Sequence, residues 1–162
     1  LVEPVSYPVE TQGTPEYFAN KRAEIVLETA RQMTKLPIDV LKVEFPTDIN
    51  YVTDSNKLLE LCQKLNEVMT IPWVILSGGV NYEVFRRQVE IACKAGASGF
   101  LGGRAIWQES AHIRDKQERA KYLKTVVADR LRELAEITDK YAFPWYRKRG
   151  LEHHNLGDIT EN

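Results

Sequence analysis

The stretch of sequence that decides the fold is Ile38-Asp39-Val40-Leu41-Lys42-Val43-Glu44-Phe45-Pro46. Its apolar and β-branched residues predict a buried β-strand, and Pro46 ends that strand. Because side chains alternate between the two faces of a strand, Leu41, Val43 and Phe45 share one face. That face is fully apolar and suits packing beneath helices.

The second face of this strand carries a lysine. Lys42 shares it with Val40 and Glu44 and directs its amine towards the predicted interior. Burial disfavours the charged form of a lysine, and the neutral amine can attack a carbonyl carbon. Lowering a lysine pKa from about 10.4 to roughly 7–8 requires a bias of about 4 kcal/mol against the ammonium. The alternative is a lysine at the rim of the sheet that forms an ion pair with Glu44.

The rest of the chain alternates between short apolar segments and amphipathic ones. Strands are predicted at about 1–5, 38–46, 71–76 and 99–101, and helices at about 14–35, 55–69, 82–95 and 117–141, the first capped by Thr14. Four strand–helix units with short loops predict an α/β fold with parallel strands. Both an open doubly wound sheet and part of a (β/α)8 barrel fit this order. A whole barrel has eight such units and usually about 250 residues, so four units correspond to half of a barrel.

Polar and glycine residues collect where these strands end, which is where parallel α/β folds bind ligands. Glu3 and Lys42 come from the first two strands, and two glycine loops, Ser77-Gly78-Gly79 and Gly102-Gly103-Arg104, follow the last two. Glycine lets backbone N–H groups approach an anion closely, and Arg104 adds a charge suited to phosphate. The pattern predicts a phosphate site. Glu3 is either a rim acid or a proton carrier beside Lys42.

The bulk properties narrow the class of protein. The 162 residues suffice for one domain with its own core. A formal net charge of −1 does not favour nucleic acid or an anionic membrane as a partner, and no apolar run is long enough to span a bilayer. Cys62 and Cys93 form no CxxC pair, which favours reduced thiols in a cytoplasmic protein. No histidine follows a predicted strand, so a metal site is not expected, and His153 and His154 fall in a polar tail.

Four motifs carry a resemblance to a known family, in order and with matching spacing: Glu3-Pro4, Asp39-Val40-Leu41-Lys42-Val43-Glu44-Phe45-Pro46, Ser77-Gly78-Gly79-Val80 and Gly102-Gly103-Arg104-Ala105-Ile106-Trp107. Together they resemble the second half of the tagatose 1,6-bisphosphate aldolases, which are class I, Schiff-base aldolases of (β/α)8 fold. The resemblance extends over residues 1–145, through Pro144-Trp145, and leaves residues 146–162 as a C-terminal tail.

This resemblance implies a mechanism and a substrate class. Lys42 would form an imine with a phosphorylated ketose, which is then cleaved to dihydroxyacetone phosphate and an aldehyde. Glu3 matches the acid/base glutamate of the family. The family's phosphate contacts match Ser77, Gly78, Gly103 and Arg104. The resemblance implies neither a cofactor nor a metal. It implies no role for Glu44 either: only the alternation of side chains along the strand predicts that Glu44 tunes Lys42.

The resemblance also implies a missing half. Four strands leave two open edges, and family members take further substrate-binding residues from strands that are absent here. We therefore expect this chain to be a fragment, or to be completed by another polypeptide or by a copy of itself in a homo-oligomer. Two rival functions remain: another phosphate-binding barrel enzyme, such as an isomerase or synthase, and a non-catalytic module that binds a sugar phosphate.

Overall fold

The computed structural model describes residues 1–7 and 14–150, with the backbone alone for Pro15 and Glu16. Its strands are β1 (Leu41–Val43), β2 (Trp73–Leu76) and β3 (Phe100–Leu101). Its α-helices are α1 (Pro15–Met33), α2 (Ser55–Val68), α3 (Tyr82–Lys94), α4 (Arg104–Trp107), α5 (Lys116–Tyr122), α6 (Ala128–Tyr141) and α7 (Trp145–Lys148). A 3-10 helix covers Gln108–His112, and a π-helical turn covers Leu123–Val127.

The three strands form one parallel sheet in the order β1-β2-β3, which confirms the predicted α/β class. Lys42 lies opposite Val74 in the register of β1 and β2. The first predicted strand is reduced to a single parallel bridge between Val2 and Leu41. In that bridge the Val2 N–H donates to Val40 O at 3.1 Å, and the Lys42 N–H donates to Val2 O at 2.9 Å.

Side-chain caps fix where the long helices begin. Thr14, the predicted N-cap of α1, accepts the Tyr17 N–H at 3.2 Å. Asp54 and Asn81 cap α2 and α3 in the same way, each with its side-chain oxygen on a backbone N–H of the first turn. These bonds satisfy donors that have no partner within the helix, so a cap is worth about 1 kcal/mol.

The apolar face of the sheet lies against the helices. Leu41, Val43, Trp73 and Ile75 are buried on this face, as strand alternation predicts. They pack in one core with side chains of α2, α3 and α6: Leu58, Leu65, Phe85, Val89 and Leu134. Burying these large side chains supplies the main driving force for folding, about 1.5–3 kcal/mol for each.

Both cysteines belong to this core. Cys62 and Cys93 are buried free thiols. Burial raises the pKa of the Cys93 thiol to about 11 and raises that of Cys62 further. Since the thiolate is the reactive form, both cysteines are structural.

The other face of the sheet lies open. Leu1, Val40, Val74 and Leu101 line a groove of about 600 Å³ on this face, together with Trp145. Leu1, Leu101 and Trp145 are exposed although they are large and apolar. A contiguous apolar surface of this kind is typical of an interface with another part of a protein.

The last predicted helix is not uniform. It forms α5, the π-helical turn and α6 in succession, where one continuous α-helix is predicted. Val127, Leu134 and Ile137 are buried, whereas Leu123 and Leu131 are 41% and 46% exposed. A π turn adds a residue to the repeat and therefore changes which side chains face the core.

Two further points concern the ends and the surface. Residues 151–162 of the predicted tail, with His153 and His154, lie outside the described residues. The first residues of the predicted tail, from 146 to 148, belong to α7. Among the described residues, none of the helices combines the length and the apolar character required of a membrane span.

Candidate active site

A cleft of about 770 Å³ opens at the carboxyl ends of the strands. This volume lies within the range of small-molecule sites, and the position is the one where parallel α/β folds bind ligands. The residues predicted from sequence that line it are Glu3, Lys42, Glu44, Ser77, Gly78, Gly102, Gly103 and Arg104. The structure therefore brings together residues from near the start of the chain, at Glu3, to Arg104.

Lys42 and Glu3 form an ion pair within this cleft. Lys42 Nζ donates to Glu3 Oε2 at 2.8 Å, and the two side chains are 19% and 39% exposed. The amine is therefore partly buried beside a carboxylate, on the face of the strand that the sequence assigns to Lys42. The alternative ion pair of Lys42 with Glu44 is wrong, because the carboxylate that Lys42 contacts belongs to Glu3.

Glu44 has different partners. Its Oε1 accepts from Arg22 Nη2 at 3.0 Å, and its Oε2 accepts from the Ser6 N–H at 2.8 Å and from the Ser6 hydroxyl. Glu44 lines the same cleft as Lys42, as the alternation of side chains predicts, but Arg22 and Ser6 rather than Lys42 hold its carboxylate. The expected contact between Glu44 and Lys42 is not formed, and Glu44 instead joins the end of β1 to α1 and to residues 1–7.

Sequence reasoning missed Arg22 and Ser6 as members of this cleft. Arg22 had one visible signal, since at helical spacing it falls between the apolar residues Phe18 and Ile25. Its Nε also donates to Phe45 O at 3.2 Å, so the guanidinium holds both the side chain and the backbone at the end of β1. Ser6 carries no pattern that marks it.

The first glycine loop is a turn that only glycine accommodates well. Gly78 and Gly79 have φ of 57° and 78°, in the left-handed region that side chains disfavour. The Val80 N–H donates to Ser77 O at 3.2 Å and closes the turn. Gly79 lies beside the second loop, because a Cβ placed there would be 3.8 Å from Arg104 Nη2. The two predicted phosphate loops are thus neighbours.

The second glycine loop leads into α4, which begins at Arg104. Arg104 is exposed and lines the cleft, and among the described residues its guanidinium has no carboxylate partner. Lys42 and Arg22, the other two cations that line this cleft, are each paired with an acid. Arg104 is therefore the cation that is available to an anionic ligand.

Arg130 on α6 holds the segment that carries Arg104. Its Nη1 donates to Ile106 O at 2.8 Å, and it forms a two-pronged ion pair with Glu109 at 2.9 and 3.0 Å. The guanidinium also lies over the Tyr82 ring, 4.6 Å from its centre. Such forked pairs fix geometry as well as adding energy, so α6 fixes the position of α4.

Glu133 continues this network on the side of α3. It accepts from the Tyr82 hydroxyl at 2.5 Å and from Arg86. These hydrogen bonds, first that from Tyr82 and then that from Arg86, hold the pKa of the Glu133 carboxyl below its usual range. The carboxylate therefore stays charged down to a lower pH than in the unfolded chain, and α3 and α6 remain joined there.

The surroundings of Gly102 leave no space for a side chain. A Cβ at this position would lie 2.4 Å from Phe85 Cε1 and 3.0 Å from Ile106 Cδ1. Gly102→Ala is therefore expected to lower the stability by about 1–3 kcal/mol, as overpacked cores do. Thermal unfolding followed by circular dichroism measures this. The control is the double variant with Phe85→Leu, which removes the ring and should lose less than the sum of the two single changes. An unchanged melting temperature for Gly102→Ala would show that the loop yields freely.

Within residues 1–7 and 14–150, no three His, Cys, Asp or Glu side chains come together in a way that could ligate a metal ion. The groups that the cleft offers are a primary amine, a carboxylate, two glycine-containing loops and an arginine. This set suits attack on a carbonyl compound that also carries an anionic group.

The fold and the cleft define a class: a parallel α/β protein with an amine and an acid at the carboxyl ends of its strands. The model of the DeoC/LacD family aldolases matches residues 2–109, and the chain belongs to this family. That match includes the strands, both glycine loops and the Lys42–Glu3 pair.

Individual relatives agree with the family. The chain is 28% identical to the tagatose 1,6-diphosphate aldolase of Lactococcus lactis subsp. lactis over an alignment of 156 residues, covering 86% of this chain and 48% of the relative. It is 31% identical to tagatose 1,6-diphosphate aldolase 2 of Streptococcus pyogenes serotype M1, covering 86% and 47%. The chain therefore spans about half the length of the curated relatives it matches.

Proposed function

We propose that this chain carries the imine-forming half of a (β/α)8 class I aldolase that cleaves a phosphorylated ketose. The observation that carries the proposal is the 2.8 Å contact between Lys42 Nζ and Glu3 Oε2 in a cleft that Arg104 also lines. The family and the relatives named as tagatose 1,6-diphosphate aldolases support it. A ketose bisphosphate resembling tagatose 1,6-bisphosphate is the substrate we propose.

In this mechanism Lys42 is the nucleophile. Its neutral amine attacks the ketose carbonyl carbon, and loss of water leaves a protonated imine. The protonated imine accepts the electron pair of the bond between its α and β carbons as that bond breaks, which leaves an enamine that is then protonated at the α carbon. The aldehyde leaves first, and hydrolysis of the remaining imine then releases dihydroxyacetone phosphate and restores the amine.

Glu3 is the proton carrier of this mechanism. Its carboxylate lies within hydrogen-bond distance of the Lys42 amine, the site at which the imine forms. A base at this place accepts the proton of the substrate hydroxyl as the carbon–carbon bond breaks, and returns a proton to the remaining fragment. The partly exposed position leaves room for a substrate between the acid and the solvent.

The two glycine turns and Arg104 are the proposed phosphate site. Ser77, Gly78 and Gly79 supply one turn, and Gly102 and Gly103 supply the other. Backbone N–H groups in such turns bind phosphate, and Arg104 adds a charge that no described carboxylate neutralises. A phosphate bound here would hold the ketose with its carbonyl towards Lys42.

We further propose that residues 1–145 need the other half of a barrel. The sheet has three strands and one bridge, and its face towards Val40, Val74 and Leu101 lies in an open groove. The chain also covers only 48% of the relative from Lactococcus lactis. Another segment, a second polypeptide or a copy of this chain in a homo-oligomer would complete it. We place the complete enzyme in the cytoplasm.

Borohydride trapping tests the proposed function. The chain is incubated with dihydroxyacetone phosphate and sodium borohydride, alone and with a co-expressed segment that carries the other half of a family barrel. We expect a stable adduct on Lys42, located by peptide mass spectrometry, because the reductant converts the imine to a secondary amine. An isomerase, a synthase or a binding module would give no adduct in either preparation. Cleavage of the ketose by the chain alone would show that the other half is not required.

Arg104 provides a prediction for the phosphate site. Arg104→Ala is expected to weaken binding of dihydroxyacetone phosphate about 10- to 100-fold, because one charge-assisted pair is lost. Binding is measured by the concentration that gives half-maximal trapping. Arg114→Ala is the matched control, since Arg114 is also an exposed arginine but does not line the cleft. Equal affinity of Arg104→Ala and the control would remove Arg104 from the phosphate site.

A further inference from the structure

We propose that Glu44, held by Arg22, is a positioning residue that fixes Glu3 beside Lys42 through Ser6. This inference rests on the proposed function and names a part of the site that the mechanism above does not use. Glu44 does not contact the Lys42 amine, yet it is a buried acid only two residues from it. Its contacts lead back to the segment that carries Glu3.

The surroundings of Glu44 are unusual for an acid. The residue is only 7% exposed, and its carboxylate is fully engaged by the Ser6 N–H, the Ser6 hydroxyl and Arg22. A buried carboxylate requires a compensating charge, which Arg22 supplies at 3.0 Å. The cluster therefore joins three segments, namely residues 1–7, α1 and the end of β1.

Glu3 lies between two attachment points of the first segment. On one side, the backbone of Val2 is hydrogen-bonded to that of Lys42 in β1 and of Val40 just before it. On the other side, Ser6 is bonded to Glu44. A short stretch held at both ends has little freedom, and Glu3 is the acid within it. Without the Ser6–Glu44 bonds, Glu3 would be held by the Val2 bridge and by its own ion pair with Lys42.

The activity test uses a double-mutant cycle in the completed enzyme. Glu44→Gln keeps the shape and removes the charge, and is expected to lower kcat about 10- to 100-fold, since a small misplacement of a catalytic group can cost 10²-fold. KM should change less than about twofold, because the phosphate site is untouched. If Glu44 acts through Glu3, Glu44→Gln should cause no further loss in a Glu3→Gln background. Additive losses would overturn the proposal.

A second readout does not depend on aldolase activity. The rate at which an amine-selective ester acylates Lys42 is measured in the 162-residue chain by peptide mass spectrometry. A loosened Glu3 leaves the Lys42 nitrogen more accessible, so Glu44→Gln and Ser6→Ala should raise this rate about threefold, in keeping with a weak, partly exposed ion pair. Failure of borohydride trapping both in the wild-type chain alone and with the co-expressed other half would refute the proposed function, while this labelling would still decide whether Glu44 positions Glu3.

Glu24→Gln is the matched control for both readouts. Glu24 lies on α1 like Arg22, but it is exposed and pairs with Lys21. Its substitution should change neither kcat nor the labelling of Lys42. Arg22→Lys, which keeps the charge, should retain more activity than Glu44→Gln. Equal labelling of Lys42 in the wild type and in folded Glu44→Gln would overturn the proposal.

Discussion

Lys42→Arg is expected to abolish borohydride trapping and to lower ketose cleavage by more than about 10⁴-fold, the scale of losing a covalent nucleophile. Arginine keeps a positive charge that can still pair with Glu3, but its guanidinium cannot form the imine. The loss would therefore be specific to the nucleophile. Among the described residues, Lys42 is the one lysine that lines the cleft, so no other amine is placed to replace it.

The control for this variant is Lys57→Met. Lys57 lies on the exposed side of α2, pairs with Glu60 and does not line the cleft. Lys57→Met should leave trapping and cleavage unchanged. It shows that removing one surface amine has no effect by itself. Should Lys42→Arg retain most of the cleavage activity, Lys42 would be a charge contact for phosphate, as in the rival isomerase or synthase.

Glu3→Gln is expected to lower cleavage about 10²- to 10⁴-fold, the usual contribution of general acid–base catalysis. The amide keeps the size of the side chain but cannot take up the proton of the substrate hydroxyl. The dependence of kcat on pH should lose the limb that reports this base. Steady-state kinetics over roughly pH 5 to 9 measures both effects.

Glu136→Gln serves as the control for the acid. Glu136 is exposed on α6 and does not line the cleft, so its change should leave the rate and the pH profile as they are. A Glu3→Gln enzyme that keeps both its rate and its pH profile would show that Glu3 is a rim acid that only pairs with Lys42.

The helices and turns could be predicted from sequence because local chemistry fixes them. Thr14 caps α1 within its own first turn, and Gly78 adopts the left-handed backbone that its loop requires. The class of fold followed from the alternation of these elements. The placement of Glu3 beside Lys42 also followed, because the ends of parallel strands meet at one edge of the sheet.

What sequence could not give depends on contacts between distant residues. The alternation of side chains placed Glu44 on the side of Lys42, but it could not show that Glu44 pairs with Arg22, which lies 22 residues earlier on α1. Likewise, Arg130 reaches Ile106 across 24 residues, and no local pattern marks such a pair. The π turn changed which side chains of the last helical region face the core, since a regular repeat cannot reveal where one residue is added.

The groove along the open face of the sheet has a consequence for how such enzymes diversify. Under the proposed function, one continuous stretch, from Glu3 to Arg104, holds the amine, the acid and the anion site together. The groove then marks the boundary between this stretch, which we call the reactive module, and the polypeptide that covers the open face of the sheet. Joining the module to different complementary halves would alter which stereoisomer is accepted while preserving the covalent step. Chimeras across this seam are therefore a direct route to new sugar preferences.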